Sequence, residues 1–195
     1  HMNYFVTAIH TDSGKTFISS LLCEALQADY WKPIQSGEEI RDAETVKQLI
    51  SNPNIQIHPE RYVLKTPCSP HQAAEIDQLQ VSLLDFILPQ SKNQHLIIEG
   101  AGGILVPLNY DGDYVIDLAK KFEAEIVLVS NNYLGSINHT LLTVHELQRR
   151  WPYIKYIVFN GPPNPATESI ILKHTGLTCL VKIPKLDHID QHTVK

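Results

Sequence analysis

Cysteine is scarce in this chain. Cys23, Cys68 and Cys179 are odd in number and far apart. No Cys-x-x-Cys pair occurs, so neither a disulfide framework nor a cysteine-based zinc site is indicated. Cys23, on an apolar helical face, and Cys179, in an apolar strand, read as core residues rather than nucleophiles. The ten histidines are scattered, with no His-Glu-x-x-His or comparable ligand spacing. Arginine is also rare, confined to Arg41, Arg61, Arg149 and Arg150. There is no excess of positive charge, and a net charge of −5 argues against a general nucleic-acid binder. No apolar run approaches the ~20 residues that a membrane-spanning helix needs. No leader pattern opens the chain, so a cytoplasmic protein that does not act on membranes is expected. His1, ahead of Met2, reads as a residue added for expression and stays outside the fold reasoning.

What is present is an ordinary globular composition, 43% hydrophobic and 19% charged over 195 residues, enough for one domain over 1–195 with a sizeable core. Apolar strands alternate with amphipathic helices. Strands are expected at 4–9, 30–34, 95–99, 125–130, 153–159 and 177–183, with a short extended piece at 62–64. Helices are expected at 17–26, 43–50, 81–88, 114–122, 136–150 and 166–174, and a short one begins near Ser69-Pro70. Asp42 and Ser136 read as N-caps of their helices. The alternation predicts a doubly wound α/β domain with a mostly parallel sheet flanked by helices. Ligands of such sheets bind beyond the carboxyl ends of the strands. The polar and glycine-rich residues gather in the loops after strands: 10–14, 35–42, 99–103, 131–136 and 160–163.

The first of these loops is the most informative. Thr11-Asp12-Ser13-Gly14-Lys15-Thr16 lies between an apolar strand and a helix, the setting of a phosphate-binding loop. N–H groups at the helix start point at phosphates, and the helix dipole favours their charge. Lys15 is placed to reach the β- and γ-phosphates and Thr16 to offer its hydroxyl to Mg²⁺. The usual spacing has a glycine five residues before Gly14, and Ile9 stands there.

Glu99 is the second signal. It ends the run Leu96-Ile97-Ile98 and meets Gly100-Ala101-Gly102-Gly103 at once. A carboxylate at a buried strand's tip beside a phosphate loop suits Mg²⁺, and the glycines suit close approach of backbone to a ligand. Lys32 lies at the same sheet edge and is read either as a ligand contact or as a surface lysine. The helix start at Gly135-Ser136-Ile137-Asn138 is read either as a plain cap or as a carboxylate receiver.

Taken in order, these segments resemble the dethiobiotin synthetase family, ATP-dependent enzymes that close the ureido ring in biotin synthesis. The resemblance spans nearly the whole chain. It rests on Tyr4-Phe5-Val6-Thr7 with Gly14-Lys15-Thr16, Lys32-Pro33-Ile34-Gln35-Ser36-Gly37, Ser69-Pro70-His71, Glu99-Gly100-Ala101-Gly102-Gly103, Leu134-Gly135-Ser136-Ile137-Asn138-His139, Asn160 and Ile183-Pro184.

The resemblance implies 7,8-diaminononanoate, CO₂ or bicarbonate, and ATP with Mg²⁺ as reactants. One amine becomes a carbamate, ATP activates it as a mixed anhydride, and the second amine closes the ring. It implies catalytic roles for Lys15, Lys32, Thr11 and Ser36, and nucleotide contacts from Asp12, Ser13, Gly14, Lys15, Thr16, Glu99 and Gly102. Asn160 and Pro184 would line the adenine, while Thr16, Asp42 and Glu99 would hold the metal. Thr11, Lys32 and Ser36 would meet the amine end of the substrate. Gly135, Ser136, Ile137 and Asn138, contributed by the second subunit of a homodimer, would meet its carboxylate.

The chain departs from the family loop at Ala8, Ile9, His10 and Ser13. It also looks shorter near the adenine, which implies a less complete base pocket. Two other classes compete. A partitioning-type ATPase switch would carry a second lysine where His10 stands. A small-molecule kinase would offer an arginine-rich lid.

Overall fold

The structure is a computed structural model, and it describes residues 2–195. In chain order the elements are β1 (Met2–Ala8), α1 (Lys15–Leu26), β2 (Asp29–Trp31), β3 (Ile34–Ser36), α2 (Asp42–Leu49), β4 (Ile57–His58), β5 (Tyr62–Leu64) and α3 (Pro70–Ile76). They continue with β6 (His95–Gly103), α4 (Val115–Lys121), β7 (Glu125–Ser130), α5 (Ser136–Arg150), β8 (Ile154–Asn160), α6 (Pro165–Thr175), β9 (Thr178–Ile183) and α7 (Gln191–Val194). Seven strands form one sheet in the order β4-β2-β6-β1-β7-β8-β9, and each adjacent pair is parallel. β3 and β5 pair separately, also in parallel.

Period-2 alternation sends neighbouring side chains to opposite faces of the sheet, and both faces are covered. Phe5, Leu96, Ile98, Ile126, Leu128, Ile157 and Phe159 join one core cluster with residues of α3, α4, α5 and α6. Val6, Ala8, Ile97, Val127, Val129 and Val158 join the other with residues of α1, α2 and α7. Each large side chain fully removed from water gains about 1.5–3 kcal/mol. The same alternation positions chemistry. Tyr30 and Ile97 face α1, so Lys32 and Glu99, two residues further on, turn to that side at the carboxyl edge.

Several sequence expectations need correction. The single strand expected at 30–34 is two, because Lys32 and Pro33 leave the main sheet and β3 pairs with β5 instead. The helix expected at 81–88 is only a 3-10 turn at Leu83–Asp85. Val81 and Phe86 are buried, but Leu84 and Ile87 are 84% and 80% exposed, so the apolar residues make no single face. Side chains also take the carbonyls a helix would use: Asn109 donates to Val81, Lys121 to Leu83 and Arg61 to Asp85. Arg41, not Asp42, is the N-cap of α2, and Gly135, not Ser136, is the N-cap of α5. Asp42 and Ser136 are the first helical residues. Cys179 is half-buried rather than in the core, since β9 is a sheet edge. β6 runs on through the glycines to Gly103, and α7 was not foreseen.

Candidate active site

A cleft of about 770 Å³ opens beyond the carboxyl ends of β1, β2 and β6. Its walls include Thr11, Asp12, Gly14, Lys15, Thr16, Lys32, Ser36, Asp42, Glu99 and Gly102. Four separate sequence segments therefore meet where a doubly wound sheet puts its ligand.

The loop from Thr11 to Gly14 takes its shape from two left-handed residues, Asp12 at φ 60° and Gly14 at φ 93°. Aspartate tolerates that region with little cost. Gly14 is fixed more firmly, because a Cβ there would lie 2.2 Å from Asn160 Nδ2. Ala8 and Ile9 need no glycine: neither has a positive φ. Ala8 is the buried end of β1, Ile9 packs against the core, and its N–H still donates to Val129 of β7 at 3.2 Å.

The carbonyls of residues 10, 11, 13 and 14 are turned to donors. Ser13 Oγ donates to His10, His10 Nδ1 to Thr11, Asn160 Nδ2 to Ser13 at 2.9 Å, and the Ile18 N–H to Gly14 at 3.0 Å. The N–H groups of Asp12, Gly14 and Lys15 find no acceptor among the described residues. Together with the start of α1 they form a concave set of donors suited to phosphate.

Lys15 is only 8% exposed. It has no hydrogen-bond or ion-pair partner among the described residues. Burial, and then the nearby Lys32 charge, hold its pKa below the usual lysine value. It is a confined cation that an anion in the cleft would relieve.

Lys32 is equally buried but fully engaged. Its ammonium lies 2.5 Å from Asp42 Oδ2 and 3.3 Å from Glu99 Oε1, and it donates to the Gly100 carbonyl at 2.9 Å. Burial works against its charge, yet Glu99 and Asp42 outweigh that and raise its pKa above the usual value. Burial likewise works against the Asp42 carboxylate, but Lys32 pulls its pKa below the usual range. Glu99 also accepts from Thr16 Oγ1 at 2.9 Å and from the Tyr30 hydroxyl at 2.8 Å. Burial and the Glu99 charge push the Tyr30 pKa well up, so it stays a donor.

The Thr16 hydroxyl and the Asp42 and Glu99 carboxylates are hard oxygens drawn to one place. They fit Mg²⁺, which is held by one or two carboxylates together with waters and phosphates rather than by an all-protein cage. Among the described residues no three His, Cys, Asp or Glu side chains are grouped to hold a metal alone.

Gly102 has φ 61°, and a Cβ there would stand 2.8 Å from Val106 Cγ2. Asn160 ends β8 and Pro184 follows β9, and the two strands pair as far as Asn160 with Ile183. Asn160 reaches the phosphate loop directly. Gly135, Ile137 and Asn138 do not line this cleft. They border a separate hollow of about 610 Å³ with Leu134 and Pro162. Ser136 is buried, and its Oγ has no partner.

Sequence reasoning missed Tyr30 and Gln35. Tyr30 was legible as the residue two before Lys32 on one strand face. Gln35, whose Oε1 accepts from the Asp42 N–H at 3.0 Å and so seats the first turn of α2, left no sequence signal.

This is the architecture of a phosphate-loop nucleotide-binding α/β protein. A solved ParA family ATPase from Chlorobium tepidum TLS shares the fold with TM-score 0.52 at 14% identity, over 95% of this chain and 85% of that one. The family described as AAA domain matches residues 2–193. The ATP-dependent dethiobiotin synthetase BioD of Cytophaga hutchinsonii is 53% identical, over 98% of this chain and 92% of its own length. That of Christiangramia forsetii is 42% identical, over 99% and 92%. The chain belongs to the dethiobiotin synthetase family.

Proposed function

We propose that this chain is an ATP-dependent dethiobiotin synthetase acting on 7,8-diaminononanoate and CO₂ in the cytoplasm. The single observation that carries the reading is Lys15, a buried, unpartnered cation at the mouth of a loop whose N–H groups are also free.

In this reading one substrate amine adds to CO₂ and loses a proton, giving a carbamate. A carbamate oxygen attacks the γ-phosphorus and ADP leaves. The second amine then attacks the carbamoyl carbon, the C–O bond to phosphate breaks, and the ring closes with loss of a proton. Lys15 and the loop N–H groups stabilise charge on the transferring phosphoryl group. Thr16, Asp42 and Glu99 would hold Mg²⁺, which would supply charge neutralisation to the nucleotide phosphates. Lys32 faces the carbamate, and Thr11 and Ser36 orient the amine end. Asn160 and Pro184 border the adenine.

The hollow at Gly135, Ile137 and Asn138 lies apart from the cleft, so this reading has a homodimer in which each subunit offers its α5 start, Ser136 included, to the partner's substrate carboxylate. Leu134, fully exposed beside it, supports burial against a second copy. The partitioning-ATPase alternative rests on fold likeness alone.

Phosphate release with ATP, Mg²⁺ and bicarbonate is expected to depend on added 7,8-diaminononanoate. Release that is absent, or indifferent to the diamine, with every common nucleotide rules the assignment out.

A further inference from the structure

His10 stands where the phosphate loop departs from its family pattern, and the roles above leave it unused. Its surroundings give it one. The His10 ring Nδ1 meets the carbonyl of Thr11, the next residue, while its own carbonyl accepts from Ser13 Oγ at 3.0 Å. The ring edge packs against Tyr133, 5.2 Å between centroids and 63° between planes. The Tyr133 hydroxyl in turn bonds His139 Nδ1 at 2.7 Å. His139 lies on α5, its N–H donating to Gly135 at 3.1 Å. The three rings border one hollow of about 570 Å³ together with Ile9 and Leu142. A ladder thus runs from the loop to the first turn of a fifteen-residue helix.

A phosphate-binding turn must aim its N–H groups inward and its carbonyls outward, and a donor on an outward carbonyl helps to hold that orientation. Ser13, Asn160 and Ile18 serve residues 10, 13 and 14. Among the described residues the His10 ring is the donor to residue 11, and the residue 12 carbonyl has none.

We propose that His10 is a positioning residue for nucleotide binding: held by Tyr133 and His139, its imidazole keeps the Thr11 carbonyl turned away so that the loop N–H groups face the phosphates. This rests on the nucleotide-binding role of the loop.

The test is equilibrium binding of a non-hydrolysable ATP analogue with Mg²⁺, alongside steady-state kinetics. His10→Ala is expected to weaken analogue binding about tenfold, the scale of one well-placed hydrogen bond with its packing. The ATP KM rises with it, while the diamine KM holds. His10→Asn, which can donate to the same carbonyl, restores binding to within about threefold. Tyr133→Ala weakens binding less, and adds little in the His10→Ala background, because it acts through His10. Analogue affinity within twofold of the parent in His10→Ala, or His10→Asn no better than His10→Ala, overturns the proposal. So does full additivity of the His10 and Tyr133 changes. Should diamine-dependent turnover fail while these binding shifts appear, the synthetase reading falls and the role of His10 stands.

Discussion

The phosphate end of the cleft and the start of α5 are built in opposite ways. At the phosphate end the charged groups other than Lys15 are engaged, Lys32 with Asp42, Glu99 and Gly100, and Glu99 with Thr16 and Tyr30, although the Ser36 hydroxyl has no partner among the described residues. At the start of α5 the groups are left over. Asn131 Oδ1, Asn132 Oδ1 and Ser136 Oγ are buried without partners among the described residues, and Leu134 projects into solvent. One end is largely paired within the chain, and the other leaves several polar groups unpaired among the described residues. An enzyme that must place a polyphosphate to sub-ångström accuracy gains from a preformed anchor there. A carboxylate several bonds from the reacting atoms tolerates a looser seat.

The two buried lysines give the largest test of this contrast. Lys15→Ala and Lys32→Ala are each expected to cut turnover by about 10²–10³ or more. Only Lys32→Ala should also lower the thermal midpoint, because it leaves Asp42 and Glu99 facing each other in a buried site. Lys15→Ala removes an unpaired buried cation and should melt at or above the parent. Equal melting of the two variants would erase the distinction between an anchor awaiting its anion and one already satisfied.

A smaller effect is expected at the other end. Asn138→Asp places a negative charge where a carboxylate would meet the start of α5. The diamine KM should rise several-fold with the ATP KM unchanged, in keeping with helix-terminus interactions of about 0.3–2 kcal/mol. Equal rises in both constants would mean that the helix start does not read the diamine.

The smallest effect is a pH signature of the Lys32–Asp42 pair. The depressed Asp42 carboxyl contributes stability above its usual 3.8, lost as pH falls through its lower folded value. The elevated Lys32 contributes stability below its usual 10.5, lost as pH climbs through its higher folded value. The pair should therefore hold between those limits and loosen outside both. Asp42→Asn should flatten part of the acid-side fall in the thermal midpoint. An unchanged acid limb would assign that fall to other carboxylates.

Much of this was legible in the sequence where one periodicity decides the outcome. The run Glu125–Ser130 alternates between two cores and becomes β7 as read. Gly14-Lys15-Thr16 and Glu99 could be placed because strand and helix patterns bracket them. What was not legible depends on partners distant in the chain. Pro33 did mark the end of pairing, but the inward turn of Lys32 is held by carboxylates at 42 and 99. The failed helix at 81–88 follows from donors at 61, 109 and 121. Local propensity carries no record of either. The irregular loop was the least readable part, since Asn160, which supports it, stands 147 residues from Ser13.

The fit of Asn160 against Gly14 has a mutational consequence. Position 14 is closed twice, by a contact that leaves no room for a methyl group and by a left-handed backbone that disfavours one. Shortening Asn160 opens the first barrier and leaves the second. It also strips the Ser13 carbonyl of its donor. A side chain at 14 would thus need Asn160 to swing away and the left-handed backbone to be strained as well, and the swing would leave the Ser13 carbonyl without that donor.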